Sequence, residues 1–302
     1  MSTGTYLITG AAGGVGSVST RVVRQLLGRG EKVRALVHRQ DSRADALRES
    51  GAEVIVGDLT NPVDVGSAMF GISRMFFNMS VSAEYLEAAA LVCLAAKELD
   101  GLEVLVNMSQ MTVSQMSTTS VEESRQQRLH WLAEHVVDWS GIPAVHVRPT
   151  VFMDNPLFTV LAARSIRQDG HLALPFGAGR TSPIDAGDVA DVVTAVLTAP
   201  TDHLGAVYEL TGPAALDIDG LAEQYASALN RPVTGVHLPY DQWLDDLSRA
   251  ALDPHTQDHI ATMARLHRDG RYDRMTHTVE DITGHSPKTV EQYIARNRDL
   301  FE

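Results

Sequence analysis

Only one cysteine, Cys93, stands in the 302 residues. No internal disulfide can form, so the chain is expected to fold in a reducing compartment. Cys93 falls in the alanine-rich stretch Tyr85 to Leu99 and is expected to pack as a small hydrophobe in a helix. Basic residues are also short: 25 against 38 acidic ones, a formal charge of −13. That balance argues against nucleic acid as a partner, because phosphate backbones need a basic stripe. It leaves room for a local basic pocket. No apolar run reaches the roughly 18 residues of a membrane span, and no basic-plus-apolar leader opens the chain. A cytoplasmic protein with no membrane contact is expected. No set of His, Cys and Asp has ligand spacing, so no metal is expected. The apolar fraction of 44% and charged fraction of 21% are ordinary for a globular protein. The length suits one large domain or two fused lobes.

The most informative segment is Thr9 to Gly16, T-G-A-A-G-G-V-G, directly after the apolar Tyr6-Leu7-Ile8. Gly10, Gly13 and Gly16 stand at spacing G-x-x-G-x-x-G, between a predicted strand and the helical stretch Ser17 to Leu27. The first glycine allows a tight turn and the second lets the backbone approach a pyrophosphate. The third lets the helix pack close, with its N-terminal N–H groups toward the phosphates. Small-residue turns are common, and it is the strand–turn–helix context that makes this a dinucleotide site. Gly10, Ala12, Gly13, Gly14, Val15 and Gly16 are the predicted phosphate contacts.

Short β-rich runs follow at Val33–Val37, Val54–Val56, Arg74–Asn78, Val104–Asn107 and Ala144–Val147, separated by helical stretches. Repeated strand–helix–strand units predict an α/β fold: a doubly wound, Rossmann-type parallel sheet with ligands at the strands' carboxyl ends. The rhythm changes after Thr150. We read residues 1–155 as the nucleotide-binding domain and 156–302 as a smaller C-terminal substrate lobe, with 180–212 partly returning to the sheet.

The residue after the second strand chooses between nicotinamide dinucleotides. A carboxylate holds a ribose 2′-hydroxyl, whereas an arginine neutralises a 2′-phosphate. Val37-His38-Arg39 has no acid at that position. NADP(H) is therefore favoured over NAD(H), with Arg39 as the 2′-phosphate ligand and Arg43 as a second cation. Arg39 is otherwise a solvated loop charge, and nearby Asp41 counts against the phosphate role. Asp58, with Leu59 beside it, either meets the adenine or caps the next turn. Asn78-Met79-Ser80 ends the fourth strand, where the backbone passes the cofactor ribose. Met108 and Pro149, at later strand ends, complete the expected contacts.

Taken together, these segments resemble the NmrA-like group of atypical short-chain dehydrogenase/reductases, with its quinone-reductase-like and triphenylmethane-reductase-like members. The similarity runs over nearly the whole length. Beyond the glycine turn and Gly57-Asp58-Leu59, it rests on His130-x-x-x-Glu134, Ser140-Gly141-Ile142-Pro143 and Arg148-Pro149. Phe152-Met153-Asp154-Asn155, Ile184-Asp185 and Glu209-Leu210-Thr211-Gly212-Pro213 extend it. The resemblance implies NADP(H) or NAD(H) binding but not a fixed activity: some members reduce quinones or dyes, and others sense cofactor redox state and regulate a partner. Family analogy also allows a homodimer.

The usual short-chain reductase site pairs a tyrosine with a lysine four residues on. Lys32, Lys97 and Lys288 are the only lysines, and none follows a tyrosine at that spacing. Near the expected nicotinamide stand Ser109 and His130. Ser109 either bonds a substrate oxygen or caps a turn. His130 either donates a proton or pairs with Glu134 on the same helical face to order the helix. Met79, Met108, Met111, Phe152, Met153 and Phe176 are predicted to line an apolar pocket, with Asn155 beside them, although methionines also serve as plain core. The expected activity is reduction of a quinone-, dye- or enone-like apolar acceptor. The alternative is a non-catalytic redox sensor that regulates a protein partner. An epimerase is disfavoured by the missing Tyr-Lys pair.

Overall fold

The computed structural model describes residues 4–12 and 17–302. Nine strands occur there: β1 (Thr5–Thr9), β2 (Lys32–Val37), β3 (Glu53–Val56), β4 (Ile72–Phe77), β5 (Val104–Met108), β6 (Ala144–Pro149), β7 (His171–Leu174), β8 (Val207–Leu210) and β9 (Thr234–His237). Seven form one sheet in the order β3-β2-β1-β4-β5-β6-β8, every neighbouring pair parallel. This is the doubly wound arrangement expected from the alternating pattern. The order reverses between β1 and β4, and the crevice outside their carboxyl ends is where such sheets bind ligands.

Both faces of the sheet are covered, as an all-parallel sheet requires. Helices Val18–Gly28 and Ala186–Thr198 bury one face with Val22, Val23, Leu26, Val189 and Val193. Helices Pro62–Met69, Tyr85–Leu99 and Arg125–Ser140 bury the other. Cys93 is buried there among Val92 and Ala96, a small apolar group in the helix–sheet core. Local signals start these helices. Asn61 caps the helix that Pro62 opens, and Asp185 caps Ala186–Thr198. Ser124 and Gln127 form a reciprocal capping box at Arg125–Ser140, worth about 1 kcal/mol.

The C-terminal lobe has its own core, built from helices Ala163–Asp169, Ile218–Leu229, Tyr240–Ser248, Pro254–Arg268 and Val290–Arg296. The lobe's first helical stretch begins with a widened π turn, Leu157–Ala162, before becoming regular over Ala163–Asp169. The sequence pattern missed the parallel pair β7–β9, whose four-residue strands lie some sixty residues apart. Helix Thr278–Thr283 also packs back on the first core through Val279 and Ile282, a second return to the sheet that the sequence did not announce.

Among the described residues, no helix is long and apolar enough to cross a membrane.

Candidate functional site

Two cavities open at the carboxyl edge of the sheet and share Gly10, Asn78, Met79 and Ser80. The strand ends that form the shared wall are tightly tied. Thr9 Oγ1–H donates to the Asn78 carbonyl at 2.7 Å, and the Asn78 N–H donates back to Thr9 Oγ1 at 2.9 Å. Gly10 sits at φ +66°, and a Cβ there would lie 2.7 Å from the Asn78 carbonyl oxygen. Only glycine fits this turn without strain. Thr20 Oγ1–H and Arg43 Nη1–H, each at 2.6 Å, hold the carbonyls of Ala11 and Ala12.

The first of these, of about 590 Å³, is walled by Ala12, His38, Arg39, Asp58 and Leu59. These are residues expected to meet the adenosine half of a dinucleotide. Gly13, Gly14, Val15 and Gly16 lie outside the described residues. Arg43 is engaged otherwise than as a phosphate ligand: its guanidinium pairs with Asp41 at 2.5 Å besides holding Ala12. Arg39 is exposed at the rim. Asp58 Oδ1 accepts the N–H and hydroxyl of Thr60, both at 2.8 Å, so it does cap the following turn. Those bonds, the backbone N–H first, hold its carboxyl below the usual range.

The second cavity, of about 430 Å³, runs over the ends of β4, β5 and β6 and under the C-terminal lobe. Met108, Pro149, Ser109, His130, Met111, Phe152 and Asn155 line it as expected residues. Met153 and Phe176 do not. Both are buried in the lobe core, at 2% and 0% exposure. Met153 lies on the opposite side of a short bridge between Phe152 and Ile184, and alternation turns the neighbouring side chain away from the cavity. Phe176 stacks on His267 with centroids 4.0 Å apart, and His267 stacks on Tyr272 at 3.9 Å. It is Tyr272, at the end of that ring stack, that reaches the wall.

Four residues that line it each carry a buried polar atom without a partner: Ser109 Oγ, Gln110 Nε2, His130 Nδ1 and Thr150 Oγ1. Buried polar groups are nearly always satisfied. Four such residues around one cavity are consistent with a ligand completing their bonding there. The group fits a nicotinamide dinucleotide: the glycine turn and the cation-rimmed cavity suit its adenosine end, and the orphan donors and acceptors lie where its ring end would reach.

His130 does not pair with Glu134. Glu134 instead takes both Nε and Nη2 of Arg148, at 3.0 and 2.5 Å, bracing the helix against β6. The His130 ring lies against Tyr85, centroids 4.2 Å apart, and its Nε2 meets Gln126. Desolvation, followed by the nearby His259, pushes the His130 pKa down to about 3. At neutral pH it is a neutral imidazole, not the charged acid that an ordinary histidine supplies. His259, from helix Pro254–Arg268, lines the same cavity and is pushed down to about 4, again mainly by desolvation. The sequence reading missed the contribution of this helix, which also brings Thr256, Ile260 and Met263 into the wall. Its apolar stripe looks like any lobe helix, and nothing local says which cavity it roofs.

Asp188, Asp191 and His285 offer ligand atoms within 4.8 Å of one another. Lys288 takes up Asp188, however, its Nζ 2.5 Å from Oδ1 and its backbone N–H 2.8 Å from Oδ2.

Residues 10–200 match the family described as NAD(P)H-binding. The chain belongs to this family. Among relatives of the NAD(P)H-binding chain, an NAD(P)H azoreductase from Xenophilus azovorans is 29% identical over 293 residues, covering 96% of this chain and 97% of that one. An NADPH-dependent quinone oxidoreductase from Escherichia coli, solved with NADPH, superposes with a TM-score of 0.83 at 21% identity, covering 97% and 99% of the two chains. NmrA, a negative transcriptional regulator solved with NADP, superposes at 0.79 and 17% identity, over 97% and 94%. These neighbours share the fold and agree with the NmrA-like resemblance read from the sequence.

Proposed function

We propose that this protein is an NADPH-dependent reductase of an apolar, uncharged or cationic acceptor of the quinone, dye or enone type. The observation that carries the reading is the continuity of the two cavities at Gly10 and Asn78–Ser80, one suited to a nucleotide and the other to an apolar ring. The names of the azoreductase and quinone oxidoreductase support the same class. Bound NADPH would supply the hydride. Met79, Met108, Met111 and Phe152 would align a flat acceptor against it, the contribution that proximity makes to such a reaction. Ser109 and Thr150 would hydrogen-bond the acceptor or the carboxamide. Among the described residues, no lysine or arginine lines the second cavity, and Asp253 lies at it. An acceptor bearing phosphate or sulfonate would therefore lose hydration without gaining a counter-charge.

Purified protein with NADPH and a panel of quinones, azo dyes, cationic dyes and enones should lose nicotinamide absorbance, fastest with uncharged or cationic members. A flat response across the panel, alongside tight NADPH binding, rejects the reading. The likeness to the regulator NmrA then favours the alternative, a dinucleotide sensor acting on a protein partner.

A further inference from the structure

We infer that Gln126 and Ser124 are positioning residues that fix the tautomers of His130 and His259, so that two neutral imidazoles offer N–H donors to the electron-rich atom of the acceptor. The inference rests on the reductase reading and goes beyond it in assigning how developing charge is stabilised.

The argument starts from a group that can only donate. The backbone N–H of Ser82 reaches Gln126 Oε1 at 3.2 Å, and His255 Nε2 meets the same oxygen at 2.8 Å. The amide oxygen is thereby committed, and its nitrogen faces His130 Nε2 at 3.1 Å. An amide nitrogen cannot accept, so His130 Nε2 must, and a neutral ring then carries its hydrogen on Nδ1. That Nδ1 is a buried atom without a partner, on a ring that lines the cavity.

His259 follows the same logic. Ser124 Oγ accepts the Gln127 N–H at 3.2 Å as the helix cap, and lies 3.0 Å from His259 Nδ1. Unlike an amide nitrogen, a hydroxyl can also accept, but among the described residues His259 Nδ1 is the one acceptor in reach of the Ser124 hydroxyl hydrogen. Donation there satisfies this buried group and puts the ring's own hydrogen on Nε2. Gln126 and Ser124 are both buried, at 0% and 3% exposure, so neither can trade these bonds for water.

Were hydride delivered to carbon or nitrogen of an uncharged acceptor, negative charge would collect on its conjugated heteroatom; a cationic acceptor would gain electron density there without net negative charge. Two preset N–H donors would stabilise that charge without reorganising. Neither imidazole gives up its hydrogen. The proton that completes the reduction would come from water, and bound NADPH would supply both electrons as hydride.

Long-range nitrogen–proton correlation spectra of ¹⁵N-histidine protein with NADP⁺ test this directly. At neutral pH, His130 should carry its hydrogen on Nδ1 and His259 on Nε2. Adding 1,4-naphthoquinone, which cannot react with the oxidised cofactor, should shift the His130 Nδ1–H signal downfield. In Gln126→Glu, a carboxylate oxygen replaces the amide donor, so His130 should move its hydrogen to Nε2. Turnover should fall about 100-fold with NADPH affinity unchanged. Wild-type His130 protonated on Nε2, or on both nitrogens, overturns the inference and needs no variant to fold. So does a tautomer switch in Gln126→Glu that leaves turnover intact. Wild-type protein with the expected tautomers and the naphthoquinone shift, but reducing no acceptor, refutes the reductase reading alone.

Discussion

Arg39 and Gly10 both line the larger cavity, and each was singled out from its neighbours in the chain. Arg39 lines the cavity from an exposed rim, while Arg43 is occupied by Asp41 and Ala12. Arg39→Ala should weaken NADPH far more than NADH, since only NADPH carries the extra phosphate. Calorimetric titration with both nucleotides checks this, and equal losses would assign Arg39 to the loop. Gly10→Ala forces a Cβ to 2.7 Å from a backbone oxygen at positive φ. The β1 and β4 ends must separate, so nucleotide affinity should fall at least tenfold, with a stability loss of about 1–3 kcal/mol. Nucleotide titration and urea unfolding of the variant read both effects. The sequence left Asp58 between two roles because a carboxylate after a strand suits either. The Thr60 bonds favour the cap, a contact two residues away that no spacing rule requires.

At the level of elements, helix Arg125–Ser140 illustrates what a pattern can and cannot tell. Ser124 and Gln127 mark its start by a local rule. The i,i+4 spacing put His130 and Glu134 on one face, but spacing does not choose partners. Arg148 on β6 outcompetes the histidine because a guanidinium offers two charge-assisted bonds to the carboxylate. Glu134→Ala should leave that guanidinium uncompensated between helix and sheet, costing about 3 kcal/mol in urea unfolding. His130 spectra should be unchanged, whereas a structural His130–Glu134 pair would move them. The strands of the main sheet were legible because each is a short apolar run between turn signals. β7 and β9 were not, since their pairing depends on how the lobe closes.

Across the whole molecule, three histidines are held neutral in protein surroundings: His130, His259 and His267, with pKa values near 3, 4 and 3, in each case mainly through desolvation. All lie below the unfolded value of about 6.5, so the unfolded chain binds the extra protons. Their contribution to stability is complete above that value and is lost as pH falls toward the folded values. Near pH 5, each should add about 1.4 kcal/mol per pH unit to the slope of unfolding free energy. Urea titrations between pH 7 and 5 should show this decline, and His267→Phe should reduce the slope. A flat profile would mean that these rings are hydrated in solution. The doubly wound sheet and most of the cavity floor were readable because strand ends are local features. The roof was not, because it joins residues around 130 with residues around 260 through tertiary packing alone.

Helix Pro254–Arg268 lines the second cavity and, among the described residues, adds none to the wall of the first. On the reductase reading, acceptor selectivity and the hold on the adenosine end then fall on separate stretches of chain. Exchanging Thr256, Ile260 and Met263 offers a route to retune which molecules are taken, with the grip left as it is.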